Sequence, residues 1–228
     1  MSSTDLANFA LVIVVSYLIG SIPTGYVAAR MLRGVDIRDY GSGSTGATNV
    51  LRVLGRGPFV AVMVADALKG YIPAMAVWLI FSSYDLQVAA GISAVIGHDF
   101  PIYIGFHGGR GVATTFGVYA AMALPVFVGL VAVGIFMLLA LRYMSVMSII
   151  TVPLGAAAFL LLAVLGVDEF NYTKVVFGLF ATALVLLTHL PNINRLIRGT
   201  EPKLGESTPP PKPQKKKEPP RQKAETTS

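Results

Sequence analysis

Between Arg110 and Arg142 the chain reads VATTFGVYAAMALPVFVGLVAVGIFMLLAL, residues 112–141, thirty residues without a charge. A helix on the surface of a soluble domain keeps a polar face toward water. This stretch has none, whereas a bilayer asks for about 20 mostly apolar residues per helix. Thirty residues are long for one span and short for two. Pro125 lies inside, and proline ends or kinks a helix because it lacks the N–H and its ring clashes with the preceding turn. The stretch therefore predicts two short helices meeting near Ala123.

Outward from it, the apolar runs Leu6–Ala29, Phe59–Phe81, Leu86–Ile96, Ser145–Gly166 and Val175–Thr188 raise the count to seven. The expected fold is an all-α polytopic membrane protein of about seven transmembrane helices. No basic segment precedes Leu6, which argues against a cleaved signal peptide. The positive-inside rule sets the orientation. With the N-terminus outside, Arg30, Arg33, Arg38, Arg52, Arg56, Arg110 and Arg142 all fall on the cytoplasmic side, as does the C-terminus. The outer loops hold Ser82–Asp85, the turn near Ala123, and Gly166–Tyr172 with Asp168 and Glu169. Lys174 alone breaks the pattern.

Composition agrees. The chain is 54% hydrophobic and 13% charged, against about 45–50% and about 25% for soluble domains. The absence of cysteine excludes disulfide scaffolds, thiolate metal sites and cysteine nucleophiles. The three histidines are scattered without zinc-binding spacing, so neither a metal nor a cofactor is expected. The net charge of +6 is dispersed between apolar runs, unlike the basic patch of a nucleic-acid binder. Residues 1–200 read as the membrane domain. Residues 201–228 carry half of the 14 prolines and read as a disordered Pro/Lys-rich cytoplasmic tail.

The polar chemistry collects in glycine-dense loops on one side. In GSGSTGATNVLR, residues 41–52, Gly41, Gly43 and Gly46 match a dinucleotide fingerprint, but the preceding strand and parallel sheet that such a site needs are missing. Ala47 stands where a Walker A loop requires lysine. What survives is anion-binding physics: glycines let backbone N–H groups approach a phosphate, and a helix N-terminus adds partial positive charge. Asn49, Arg52 and Arg56 fall on one helical face. A second loop, Gly108-Gly109-Arg110-Gly111, again precedes a helix. His189, Asn192 and Arg195 share a face if the last helix continues past Pro191. Asp66 and Lys69, three apart within an apolar run, are read as an internal brace, since an unpaired charge there costs roughly 2.5–3.5 kcal/mol.

Taken in order, GSGSTGATNVLR, DALKG (66–70), GHDFP (97–101), GGRGVAT (108–114) and HLPNINRLIRGTEPKLG (189–205) resemble the bacterial membrane acyltransferases that acylate glycerol-3-phosphate with acyl-phosphate. The resemblance spans about residues 6–205. It implies seven helices with the N-terminus outside, residence in the bacterial inner membrane, and an active site on the cytoplasmic side. It implies long-chain acyl-phosphate and glycerol-3-phosphate as substrates, membrane lipid as surroundings, and lysophosphatidic acid and phosphate as products in phospholipid biosynthesis. The soluble enzyme that makes acyl-phosphate is a further candidate partner. By the same resemblance, Gly41, Gly43, Gly46, Thr48 and Asn49 belong to the loop that cradles the acyl-phosphate. Arg52, Gly108, Gly109, Arg110, Gly111 and Thr114 bind substrate, and Ser42, His189 and Asn192 are the catalytic candidates. Two positions depart from the family pattern: Arg110 stands where lysine is usual, and Ser44 where asparagine is common.

No H-x-x-x-x-D follows any histidine, and no G-x-S-x-G elbow occurs. Two other readings fit several spans with anion loops: a transporter of a small phosphate ester, and a weakly active paralogue serving as a scaffold.

Overall fold

The computed structural model describes residues 2–167 and 172–206. Asp168, Glu169 and the chain from residue 207 onward lie outside the described residues. The fold is all-helical: α1 Ser3–Gly20, α2 Thr24–Arg33, α3 Ala47–Leu54, α4 Arg56–Phe81, α5 Tyr84–Asp99, α6 Val112–Met122, α7 Leu124–Leu141, α8 Met144–Val164, α9 Tyr172–Thr188 and α10 Leu190–Ile197.

The opening stretch breaks where proline chemistry places the break. Ala123 is extended at φ −161°, and Pro125 lies in the first turn of α7, where a missing N–H has no intrahelical partner to lose. Each expected apolar run carries a helix. By length and composition, four segments can cross a bilayer alone: residues 3–33, α4, α7 and α8. A fifth arises if α9 and α10, bent by 58°, count as one. At 1.5 Å per residue, α6 rises only about 16 Å, half a hydrocarbon core.

The helices meet through small residues. Helix α4 packs on α5 and α6, α1 on α5, and α8 on α7 and α9. A Cβ at Gly70 would strike the Thr114 carbonyl, and one at Gly117 would strike the Ala67 carbonyl. Reciprocal glycines thus bring α4 and α6 nearly to backbone contact, the device membrane helices use where lipid supplies no hydrophobic drive for association. Tyr119 anchors the core formed by α6, α8 and α9. It is fully buried, its hydroxyl donates to the Val152 carbonyl at 2.9 Å, and its ring meets Phe159 and Phe177 edge-on. Phe136 and Leu139 on α7 point outward, as lipid-facing side chains do.

The Asp66–Lys69 brace exists and reaches further than the pair. Lys69 Nζ lies 2.8 Å from Asp66 Oδ1 and donates to the Ile22 carbonyl at 2.9 Å. Thr24 donates its hydroxyl to the same Asp66 oxygen. The pair therefore satisfies the Ile22 carbonyl and the Thr24 hydroxyl at the α1–α2 junction.

Candidate active site

Asn49 builds the first glycine loop from within. Its Oδ1 accepts the Ser42 N–H at 3.0 Å. Its Nδ2 faces the carbonyls of Ile37, Tyr40 and Ser44 at 3.2, 3.0 and 2.8 Å. The side chain is buried, and a Cβ at Gly41 would overlap its Oδ1. Asn49 is thus a loop staple with its donors engaged, a different placement from the substrate contact expected for it. Gly41 and Gly43 take φ of 59° and 73°, the left-handed region that favours glycine. The Gly46 N–H donates to Ser44 Oγ at 3.1 Å, and Gly46 caps α3. The N–H groups of Ala47 and the half-buried Thr48 open that helix, where first-turn donors have no intrahelical acceptor. Helix α3 ends at Leu54, and Gly55 at φ 90° starts a new axis. Arg56 therefore does not share a helix with Asn49 and Arg52.

The second loop folds back onto the end of α5. Gly108 N–H donates to the Asp99 carbonyl at 3.1 Å and Gly109 N–H to the His98 carbonyl at 3.0 Å. Gly111 caps α6 at φ 70°. The two glycine loops are joined directly, since Thr45 N–H donates to the Gly108 carbonyl at 3.2 Å. Arg38 adds a second link to the Ile104 carbonyl at 2.7 Å. Thr114 lies one turn inside α6. Its methyl faces the Gly70 position and the residue is fully buried, so it packs α6 against α4.

The third segment bends at His189. Helix α10 does continue past Pro191, which occupies its first turn. His189 Nδ1 lies 2.9 Å from the Val185 carbonyl. That carbonyl can only accept, so Nδ1 carries the proton and Nε2 remains an acceptor. Asn192 Nδ2 donates to Glu201 Oε1 at 2.7 Å and Arg195 Nε to Glu201 Oε2 at 2.7 Å. The same Oε1 accepts the Ser145 hydroxyl at 2.7 Å.

Glu201 was expected at the head of a disordered tail. It is instead buried, and the chain beyond it is held, with Leu204 N–H donating to the Arg142 carbonyl at 2.6 Å. Composition misled here because proline and lysine density says nothing about one carboxylate that finds three donors. The signal lay in the motif 189–205, which contains Glu201. Ser145 had no sequence signal.

The three segments converge electrostatically. Burial pushes the Arg110 guanidinium down to about 10, and Arg195 and Arg52 push the same way against Glu201 and Asp99. Burial also lowers Arg52, which senses both Glu201 and Arg195. His189 lies in the fields of Arg110 and Glu201. Arg195 pairs with Glu201 at 2.7 Å, Arg52 and Arg110 lie within the field of that pair, and two glycine loops lie alongside. Such an excess of guanidinium charge suits a phosphate dianion, which arginine binds by charge-assisted, bidentate hydrogen bonds.

A sequence profile described as glycerol-3-phosphate acyltransferase matches residues 10–199. This chain belongs to the glycerol-3-phosphate acyltransferase family. The glycerol-3-phosphate acyltransferase of Parasynechococcus marenigrum is 43% identical to it over 86% of this chain and 90% of the relative. That of Halalkalibacterium halodurans is 43% identical over 86% and 95%. The crystal structure of PlsY (YgiH), an integral membrane glycerol 3-phosphate acyltransferase, in its glycerol 3-phosphate form, superimposes with a TM-score of 0.79. It is 38% identical, covering 86% of this chain and 96% of that one. Its lysophosphatidic acid form gives 0.76 at 37% identity, over 86% and 95%. The chain is accordingly an integral membrane acyltransferase of phospholipid synthesis, and membership of the glycerol-3-phosphate acyltransferase family weighs against the transporter reading.

Proposed function

We propose that this protein transfers a long-chain acyl group from acyl-phosphate to the sn-1 hydroxyl of glycerol-3-phosphate, releasing lysophosphatidic acid and inorganic phosphate. The observation that carries this is the Arg195–Glu201 pair beside two stitched glycine loops, with Arg52 and Arg110 in its field. Both substrates carry phosphate, and the site offers two places for it. The first loop receives the acyl-phosphate through the backbone around Gly41–Thr48. Arg110 with its GGRG loop, and Arg52, receive glycerol-3-phosphate.

In this reading the sn-1 oxygen attacks the carbonyl carbon, a tetrahedral oxyanion forms, and the carbon–oxygen bond to phosphate breaks. Phosphate leaves readily, so no covalent enzyme intermediate is required; alignment supplies the rate. Backbone N–H groups of the first loop stabilise the oxyanion, an effect worth about 3–4 kcal/mol per donor elsewhere. The hydroxyl proton passes to His189 Nε2 or to the departing phosphate, and either balances the step. Asn192 and Ser42 order the reacting groups.

The same proposal places seven spans in the bacterial inner membrane, with the N-terminus outside and the site at the cytoplasmic face. It is supported by the meeting of Thr173 and Asp85 at 3.1 Å, which puts the starts of α9 and α5 at one end, away from the arginines. The chain beyond residue 206 is a cytoplasmic extension. The soluble source of acyl-phosphate is its natural partner.

Purified protein supplied with acyl-phosphate should release phosphate only when glycerol-3-phosphate is present. Release independent of the acceptor would overturn the reading. Lysophosphatidic acid formation at an ordinary enzyme rate, about 1 s⁻¹ or faster, would also dispose of the weakly active scaffold alternative.

A further inference from the structure

We propose that His98 is a positioning residue for the glycerol-3-phosphate loop, acting on Arg110 through the Nε2 end of the imidazole packed against Gly109. The inference rests on the reading that this loop holds glycerol-3-phosphate.

His98 lies in the last turn of α5 and is buried. It grips Gly109 twice. Its carbonyl accepts the Gly109 N–H at 3.0 Å. Its ring covers the Gly109 Cα, so that a Cβ there would overlap Nε2, Cδ2 and Cε1 together. The φ of Gly109 lies outside the left-handed region, unlike that of Gly111. The ring, not the backbone conformation, is what demands glycine at 109.

The ring faces a fixed carboxylate on its far side. His98 Nδ1 lies 3.6 Å from Asp66 Oδ1, beyond hydrogen-bond length, and that oxygen is fixed by Lys69 and Thr24. A path of close contacts therefore runs from the α1–α2 junction through Asp66 and His98 to Gly109, whose next residue is Arg110. Gly108 differs in kind. A Cβ there would meet the His98 and Asp99 carbonyls, so no side-chain change could relieve it. His98 touches the loop at Gly109 and is not itself assigned a contact with either substrate. Its effect is exerted through the loop, where a shift near 1 Å at a positioned group costs up to about 100-fold in rate.

The test is a double-mutant cycle on the full-length protein in lipid, with KM measured separately for the two substrates and kcat alongside. Gly109→Ala alone should raise KM for glycerol-3-phosphate about tenfold or more, by pushing the loop off the ring. With His98→Ala present, adding Gly109→Ala should change that KM by less than about threefold, because the methyl now has room. His98→Asn, which also shortens the side chain away from Gly109, runs the same cycle where His98→Ala leaves no folded protein. Equal effects of Gly109→Ala in both backgrounds would overturn the proposal. So would a fall in kcat alone with both KM values unchanged, the signature of less folded enzyme. Coupling that appears only in KM for acyl-phosphate would overturn the loop's assigned substrate, and would be distinguishable from absence of coupling.

Discussion

Asn192 donates a 2.7 Å hydrogen bond to Glu201, closing the chain's last described segment over the end of its last helix. The same carboxylate takes Ser145 from α8 and Arg195 from α10. Two helices, α8 and α10, therefore depend on one side chain. Glu201→Ala should release Asn192, shift the charge balance around Arg52 and Arg110, and lower both stability and turnover. A hydrogen bond to a charged group is worth about 1.5–3 kcal/mol, less where a partner such as Arg195 is half exposed. Thermal melting with parallel phosphate-release assays checks this, and an unchanged melting temperature would count against the strap.

The strap has a pH signature. Burial alone would raise the Glu201 carboxyl, but hydrogen bonds from Asn192, Ser145 and Arg195 overcome it and hold it below its ordinary value. A carboxylate depressed in the folded state contributes stability that is complete above its unfolded pKa, about 4.3, and is lost as pH falls through the folded value. The stability gap between wild type and Glu201→Gln should be constant at neutral pH and shrink below about pH 4.3. A gap that widens in acid would contradict the assignment.

Asn49→Asp should be more damaging than its size suggests. The Nδ2 that faces three carbonyls would become an oxygen facing them. Leaving buried acceptors unsatisfied costs about 1–3 kcal/mol each. The substitution should lower the melting temperature and raise KM for acyl-phosphate together. A loss of activity without loss of stability would instead make Asn49 a direct substrate contact.

Arg52→Ala should reduce kcat/KM for glycerol-3-phosphate by about 10- to 100-fold, the equivalent of one charge-assisted contact. Stability should hold or improve slightly, because burial weighs most on the Arg52 charge and Arg195 repels it, against the attraction of Glu201. Near-normal kinetics would remove Arg52 from the site.

Arg110→Lys installs the residue usual in the family. It keeps the charge but loses the planar fork that binds phosphate bidentately. The expected result is an active enzyme with a changed KM for glycerol-3-phosphate. Arg110→Ala should lose most turnover. Equal activity of the alanine and lysine variants would show that the charge itself has no role.

Much of the architecture was legible because it follows from local chemistry. The break at Ala123 needed only an apolar run too long for one helix and a proline within it. The glycine loops and their arginines were visible as motifs. The loop-stapling contacts of Asn49 were not legible, because its residue type suits a phosphate contact as well, and spacing cannot show which way an amide points. The packing of Thr114 was not legible either, because motif membership does not show that Gly70 approaches its helix from the other side. The run of seven apolar segments was legible, but its shortest helix, α6, reaches only half a bilayer by itself.

Apolar length, proline position and the placement of arginines beside glycines determine, without coordinates, that this is a helical membrane protein with glycine-dense polar loops between its helices. These properties depend on residues close in the chain, where covalent geometry sets what can form. Tertiary structure alone decides that Glu201 returns to Ser145, that Thr45 meets Gly108, and that the His98 ring rests on Gly109. Those partners come from separate elements, and helix packing, not sequence spacing, sets the distances between them.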